Sequence, residues 1–202
     1  RECAVAPAGL APRPDSEILI EAALQVAEGR ADRPLGICDF GTGSGALIVT
    51  LLAELPDCIG LGIDIDADAA ALARANARRH GVERRCGFCV GDWDRPIDGA
   101  FDLIVSNPPY IDRHAIEGLE PEVRDHDPVL ALDGGDDGLD GHRAIAAAAH
   151  RLLAPGHGVV MVEIGADQGC AVTDLFARHG LCRRELRTDL AGRDRVFVAG
   201  KA

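Results

Sequence analysis

The residues Asn107-Pro108-Pro109-Tyr110 carry the most specific chemistry in the sequence. They follow the apolar stretch FDLIV (101–105), which is typical of a buried strand. Each proline fixes its own backbone φ angle and lacks an N–H donor, and it favours extended geometry in the preceding residue. The four residues, called the tetrad below, therefore predict a rigid cluster of carbonyl acceptors between an amide side chain and an aromatic ring.

A glycine-rich loop, DFGTGSG (39–45), follows the first predicted strand. Glycines allow a tight turn and a close approach of ligand to backbone, and the next helix directs its positive end at the same place. Asp64 ends the second predicted strand, where a carboxylate can accept hydrogen bonds from both ribose hydroxyls. The spacing favours a nucleotide-type cofactor at this loop over a tight turn without a ligand.

The loop alone leaves the cofactor open. Gly41-x-Gly43-x-x-Ala46 also fits the dinucleotide fingerprint, so a nicotinamide cofactor is an alternative. In the sequence GDW after the third predicted strand, Asp92 can accept a hydrogen bond from an adenine amino group, and Trp93 offers a ring face. A single Trp is more often a core residue, so packing is the competing interpretation for Trp93.

Helical and strand-like patterns alternate along the chain. This alternation predicts an α/β fold: a doubly wound, mostly parallel seven-stranded sheet that ends in a C-terminal antiparallel strand pair. Ligands of such sheets bind at the carboxyl ends of the strands. The predicted strands are 35–40, 59–64, 85–90, 101–105, 158–164, 182–188 and 194–200, and the predicted helices are 15–28, 45–55, 68–80, 140–153 and one ending at Gly180.

The composition indicates a single globular domain of 202 residues, 47% of them hydrophobic. A formal net charge of -12 argues against binding of a long nucleic acid, which requires clustered Lys and Arg. Seven scattered cysteines indicate reduced thiols and hence a cytoplasmic protein. No apolar run reaches the roughly 18 residues of a membrane span, so no membrane partner is expected.

Taken together, the glycine loop, Asp64, Asp92 and the tetrad resemble class I S-adenosylmethionine-dependent methyltransferases that act on a conjugated nitrogen. PRPDSE (12–17), EVRDHDPVLALDGGDDGLD (122–140), MVEIG (161–165) and DLAGRDRVFVA (189–199) are similar to the release-factor glutamine methyltransferases within that class. The resemblance implies a Rossmann-like fold and S-adenosylmethionine as cofactor, with S-adenosylhomocysteine as product. It also implies methylation of the Gly-Gly-Gln glutamine of peptide chain release factors.

The resemblance further implies roles for individual residues. The implied cofactor-binding residues are Asp39, Gly41, Thr42, Gly43, Gly45, Asp64, Ile65, Asp92, Trp93 and Asn107. The implied catalytic residues are Asn107, Pro108 and Tyr110. The implied substrate-binding residues are these three together with Pro109, Arg13 and Glu17.

These roles agree with the chemistry of an amide or aryl amine nitrogen, which is a poor nucleophile because its lone pair is delocalised. If its two N–H groups donate to the Asn107 side-chain oxygen and the Pro108 carbonyl, negative charge beside the nitrogen favours attack on the sulfonium methyl. Tyr110 can lie over the planar amide. A rigid turn that only ends a strand explains the prolines, but not the Asn and Tyr that flank them.

The sequence departs from the family pattern, and the departure at the N-terminal side bears on function. Family members usually carry a helical substrate-binding domain ahead of PRP, whereas barely a dozen residues precede it here. We therefore expect one catalytic domain, residues 1–202, without that helical domain. Ser16 also stands where the family more often has Thr.

Two other functions remain open from the sequence. The tetrad also permits an amino-methyltransferase acting on adenine or guanine in nucleic acid, and a non-catalytic adenosylmethionine-binding module would use the same loop. No metal site is expected: Cys86 and Cys89 form a CxxC pattern without a second pair, which is typical of core cysteines. His126 is expected to be a solvated loop residue.

Overall fold

The structure is a computed structural model that describes residues 15–30, 33–94, 97–120, 124 and 128–201. Its strands are β1 (Gly36–Phe40), β2 (Ile59–Asp64), β3 (Cys86–Val90), β4 (Leu103–Ser106), β5 (Val159–Glu163), β6 (Leu181–Thr188) and β7 (Asp194–Lys201). Its helices are α1 (Asp15–Glu28), α2 (Ala46–Glu54), α3 (Ala67–Arg79), the short α4 (Val129–Leu132), α5 (Asp140–Leu152) and α6 (Gly169–Arg178), with a 3-10 helix at Arg113–Gly118.

The seven strands form one sheet in the order β3-β2-β1-β4-β5-β7-β6. Strands β1 to β5 run parallel, while β7 pairs antiparallel with both β5 and β6. The strand order reverses between β1 and β4, which is where sheets of this kind bind their ligands. The predicted doubly wound sheet and its C-terminal antiparallel pair are confirmed.

Helices cover both faces of the sheet because the central strands are apolar on both faces. Successive strand residues point to opposite sides. In β4, Leu103 and Val105 therefore pack with α1 and α2, whereas Ile104 packs with α5 and α6. All three side chains are fully buried.

The helix boundaries follow the expected capping chemistry. The Asp66 side chain accepts a hydrogen bond from Asp68 N at 2.8 Å and caps the start of α3. Gly81 follows α3 with a φ of 72°, a left-handed conformation that favours glycine. Gly81 directly follows the predicted helix 68–80, whereas the helix begins at Ala67, one residue before its predicted start.

Two features differ from the predicted elements. The fourth strand begins at Leu103 rather than at Phe101, because Phe101 makes only an isolated bridge to Leu153 and the Asp102 side chain accepts from Gly36 N at 2.9 Å. The 3-10 helix and α4 lie in a stretch for which no element was predicted. Within the described ranges, no helix is long and apolar enough to cross a membrane.

Candidate active site

The carboxyl ends of the parallel strands surround a cavity of about 360 Å³, a volume within the range of roughly 300–1,000 Å³ that is usual for small-molecule sites. Strand β1 leads into the glycine loop, β2 ends at Asp64, and β4 leads into the tetrad. Seven of the predicted cofactor residues line this cavity: Gly41, Gly43, Asp64, Ile65, Asp92, Trp93 and Asn107. Pro109 of the tetrad also lines it.

The glycines of the loop serve two different purposes. Gly41 and Gly43 have φ angles of 65° and 52°, and a Cβ added at either would meet no atom within 4 Å. Their backbone is therefore open to a ligand. Gly45 has a φ of 78°, but a Cβ there would lie 2.9 Å from the Cβ of Ala73, so Gly45 allows α2 to pack closely on α3.

Asp64 is held at the cavity wall by the backbone of two loops. Its Oδ2 accepts from Gly43 N at 2.7 Å, and its Oδ1 accepts from Asp66 N at 3.0 Å. Each carboxylate oxygen can accept a further hydrogen bond. The Asp64 carboxylate is thus oriented by the protein and still able to receive ligand hydroxyls.

Asp39 and Thr42 are buried beneath the glycine loop. Asp39 Oδ2 accepts from Thr42 Oγ1 at 2.7 Å, and Thr42 N donates to Ile63 O at 2.9 Å. Burial raises the pKa of Asp39 to about 7, although the Thr42 hydrogen bond opposes this shift. Asp39 Oδ1 has no hydrogen-bond partner in the described part of the chain. Asp39 and Thr42 thus stabilise the turn of the glycine loop on its buried side.

The position of Trp93 suits both a cofactor contact and core packing, the two interpretations made from the sequence. It lines the cavity, and it also packs against the core cluster beneath α5. A Cβ at Gly141 would lie 3.2 Å from Trp93 Cη2, so the ring lies close to the start of α5. Its φ of 53° is unusual for a bulky residue and indicates local backbone strain beside the cavity.

The tetrad belongs to a network of side chains from three elements. Asn107 Nδ2 donates to Ser16 Oγ at 3.2 Å, and Ser16 Oγ donates to Glu163 Oε2 at 3.0 Å. Tyr110 Oη donates to Glu163 Oε1 at 3.3 Å. Asn107, Pro108, Tyr110 and Glu163 also border a second cavity of about 20 Å³. Asn107 thus lies between the two cavities.

The sequence predicted no role for Glu163, and Ser16 was noted only as standing where the family more often has Thr. A carboxylate within the apolar stretch GVVMVEI (158–164) is the signal that could have identified Glu163, because a buried polar group needs partners. Glu163 is 1% exposed. The contact of Ser16 with Asn107 spans 91 positions and has no local sequence signal.

The Gln168 side chain holds the backbone of Tyr110 through a hydrogen bond. Gln168 Nε2 donates to Tyr110 O at 3.1 Å and to Gly138 O at 3.2 Å, while its Oε1 accepts from Gly165 N at 2.8 Å. One side chain at the start of α6 therefore connects three loops around the tetrad.

The remaining predicted residues lie away from the cavities or outside the described residues. Glu17 is exposed on the first turn of α1. Arg13 and His126 lie outside the described ranges. In β3, burial raises the pKa of the Cys86 thiol to about 12 and also raises that of Cys89, so both are neutral thiols near pH 7. The described residues contain no cluster suited to a metal ion.

Comparison with known proteins agrees with this geometry. The family model "Methyltransferase small domain" matches residues 15–120, which include the glycine loop and the tetrad. The crystal structure of a methyltransferase from Pyrococcus furiosus superposes with a TM-score of 0.70, covering 98% of this chain and 87% of that one at 16% identity. The fold and the matched region define a methyltransferase domain.

Curated relatives narrow the class further. A release factor glutamine methyltransferase from Rhodospirillum rubrum is 50% identical over 190 residues, which cover 94% of this chain and 57% of the relative. One from Nitratidesulfovibrio vulgaris is 45% identical over 203 residues, covering 98% and 68%. The chain therefore belongs to the release factor glutamine methyltransferase family. It spans 57% of the length of the Rhodospirillum relative.

Proposed function

We propose that this chain transfers a methyl group from S-adenosylmethionine to the side-chain amide of the Gly-Gly-Gln glutamine in peptide chain release factors. The observation that carries the proposal is the position of Asn107, which lines the cavity beside the glycine loop and begins the rigid tetrad. Membership of the family supports glutamine as the acceptor. Residues 1–202 would act as a single catalytic domain, and cytoplasmic location stays a prediction.

S-adenosylmethionine fits the residues around the larger cavity. The open backbone at Gly41 and Gly43 admits a ligand, and Asp64 retains acceptor capacity for ribose hydroxyls. Asp92 and Trp93 at the same cavity suit an adenine amino group and an adenine ring face. When bound, the cofactor supplies an electrophilic methyl group on a sulfonium centre.

The tetrad activates the glutamine amide by accepting its two N–H groups. The Asn107 side-chain oxygen accepts one of them and the Pro108 carbonyl accepts the other. The Pro108 carbonyl is rigid, since Pro108 is buried and both prolines restrict the backbone, so little reorganisation of this acceptor accompanies the reaction. No strong general base is required, because the nitrogen can lose its proton after it has gained the methyl group.

The glutamine must also be aligned with the methyl group. Tyr110 is held by Glu163 through its hydroxyl and by Gln168 through its backbone carbonyl. A side chain held at both ends is suited to orienting a planar amide. Alignment of this kind contributes up to roughly 7–11 kcal/mol to barrier reduction in well-oriented reactions.

The proposal is tested with S-adenosylmethionine labelled on its methyl group. The chain is incubated with an unmodified release factor, with the same factor carrying Ala in place of the Gly-Gly-Gln glutamine, and with DNA or ribosomal RNA. Label that enters only the glutamine-bearing factor supports the proposal. Label in nucleic acid instead would support an adenine or guanine amino-methyltransferase, and binding of cofactor without turnover on any of these substrates would support a non-catalytic module.

A further inference from the structure

The side chain of Asn107 has two possible orientations, and only one of them suits the acceptor role. An amide oxygen and an amide nitrogen are nearly equal in size, so packing alone does not distinguish the two. Hydrogen bonding does distinguish them, because the oxygen accepts and the nitrogen donates. The productive orientation turns Oδ1 toward the substrate, and the reversed one would present a donor to another donor.

Asn107, Ser16 and Glu163 are linked by two successive hydrogen bonds, and both are donated in the same direction. Glu163 is buried at the end of β5, and both of its side-chain oxygens accept hydrogen bonds, Oε2 from Ser16 Oγ and Oε1 from Tyr110 Oη. Ser16 Oγ, 3.0 Å from Glu163 Oε2, therefore uses its single proton on the carboxylate. The hydroxyl is left as an acceptor on its other side, where Asn107 Nδ2 lies 3.2 Å away.

The carboxylate is itself held from two sides. Tyr110 Oη donates to Glu163 Oε1 at 3.3 Å, so the two hydroxyls occupy different carboxylate oxygens. The Glu163 backbone carbonyl lies 3.0 Å from Nε2 of buried His142. Neither the carboxylate nor its backbone can turn without losing these contacts.

We infer that Glu163 and Ser16 are positioning residues which hold the Asn107 amide with Nδ2 inward and Oδ1 available to the substrate. Asn107 donates a hydrogen bond to the Ser16 hydroxyl, and the Ser16 hydroxyl donates one to the Glu163 carboxylate. The inference rests on the proposed function for its catalytic consequence, but the orientation itself is a property of the free chain. It gives Ser16 and Glu163 a role in turnover without contact to the reacting atoms.

The orientation can be measured without any substrate. The chain contains two asparagines, Asn76 and Asn107, so selective labelling with ¹⁵N-asparagine yields two side-chain amide groups in an NMR spectrum. Asn76 Nδ2 donates to Ser44 O at 2.9 Å, away from Ser16, and serves as an internal reference. In the wild-type chain, an Asn107 Nδ2 proton should show a nuclear Overhauser effect to the Ser16 Cβ protons.

Two substitutions at Ser16 separate the hydroxyl from the side-chain volume. Ser16→Ala should increase solvent exchange of the Asn107 side-chain amide protons by at least about fivefold, because their acceptor is lost. The Asn76 signals should stay unchanged. Ser16→Thr retains the hydroxyl and should preserve the wild-type exchange rates. Equal exchange in all three proteins would overturn the inference.

The kinetic consequence is measured on the release factor. Ser16→Ala should lower kcat by about 10-fold, less than the 10²–10³-fold typical for removal of a preorganised group, because the amide still samples its productive orientation. Cofactor affinity should stay within about twofold, and Ser16→Thr should restore kcat to within about threefold of wild type. Wild-type kcat in Ser16→Ala would contradict the inference.

Glu163→Gln tests the carboxylate that accepts the hydrogen bonds of Ser16 and Tyr110. The glutamine offers one acceptor oxygen in place of two, so one of the two hydroxyls loses its acceptor. We expect kcat to fall by at least about 10-fold in a protein that still melts cooperatively. Wild-type turnover would contradict the role of Glu163. If the wild-type chain shows the predicted NMR orientation but transfers no methyl group to glutamine, the proposed function fails and the orientation stands.

Discussion

The side chain of Gln168 donates to the backbone carbonyl of Tyr110 at 3.1 Å, across 58 positions of sequence. The same side chain contacts Gly138 O and Gly165 N, so the loop after β4 is connected to the loops before α5 and after β5. The last residue of the tetrad is thus positioned by a residue that lies far from it in the sequence.

Gln168→Ala should loosen the tetrad and destabilise the protein. Loss of three hydrogen bonds, each of net worth about 0.5–1.5 kcal/mol, should lower the free energy of unfolding by about 2–3 kcal/mol. Displacement of Tyr110 should lower kcat/KM for the release factor about 10-fold. The control is Gln25→Ala, which removes the other glutamine of the chain, an exposed partner of Arg187. Equal effects from both variants would contradict a positioning role for Gln168.

Asn107→Ala should separate catalysis from cofactor binding. Removal of the acceptor should lower kcat by about 10²-fold or more, while the Kd for S-adenosylmethionine stays within about threefold. Steady-state kinetics and calorimetry measure the two quantities. Asn76→Ala, the matched control, should lower stability because Asn76 is buried, yet retain kcat at saturating cofactor. If turnover barely changes in Asn107→Ala, the acceptor role is wrong.

Gly45→Ala should destabilise the protein through packing as well as backbone strain. Gly156→Ala provides a matched control, because Gly156 has a φ of 76° against 78° at Gly45, yet a Cβ there would meet no atom within 4 Å. Backbone strain should cost about 1 kcal/mol in both variants. The clash with Ala73 should add about 1–3 kcal/mol at Gly45 alone. Chemical denaturation that gives equal losses would refute the close packing of α2 on α3.

The buried carboxyl of Asp39 should make stability depend on pH. Its pKa is raised to about 7 in the folded protein, mainly by burial, against about 3.9 in an unfolded chain. Between these values the unfolded state releases a proton that the folded state retains, so stability should fall as pH rises from about 4 to 7 and then level off. The difference in unfolding free energy between wild type and Asp39→Asn isolates this contribution. A difference that does not vary with pH would contradict it.

Much of the fold could be predicted because its signals are local. The second strand matches its predicted span of 59–64, since apolar residues run up to Asp64 and a helix cap follows. The cavity residues of the glycine loop were found in the same way, because Gly41 and Gly43 follow a strand directly. Sequence spacing grouped Gly45 with these two glycines, although Gly45 lies where α2 packs closely on α3.

The network around Asn107 could not be predicted in the same way. Ser16 lies on α1 and Glu163 on β5, and only the folded sheet brings both to the tetrad. A serine beside Asp15 is an ordinary helix start in sequence terms. Gln168 likewise lies in a polar loop, where nothing local indicates a contact with Tyr110. These roles depend on contacts between elements that are distant in the sequence, and no local sequence pattern indicates such contacts.

The most direct test of the central claim is tandem mass spectrometry of a release factor after reaction with the chain and S-adenosylmethionine. The account predicts a single methyl group on the side-chain amide of the Gly-Gly-Gln glutamine, formed by the wild-type chain and nearly absent with Asn107→Ala. A methyl group on any other residue, or equal methylation by both proteins, would contradict it.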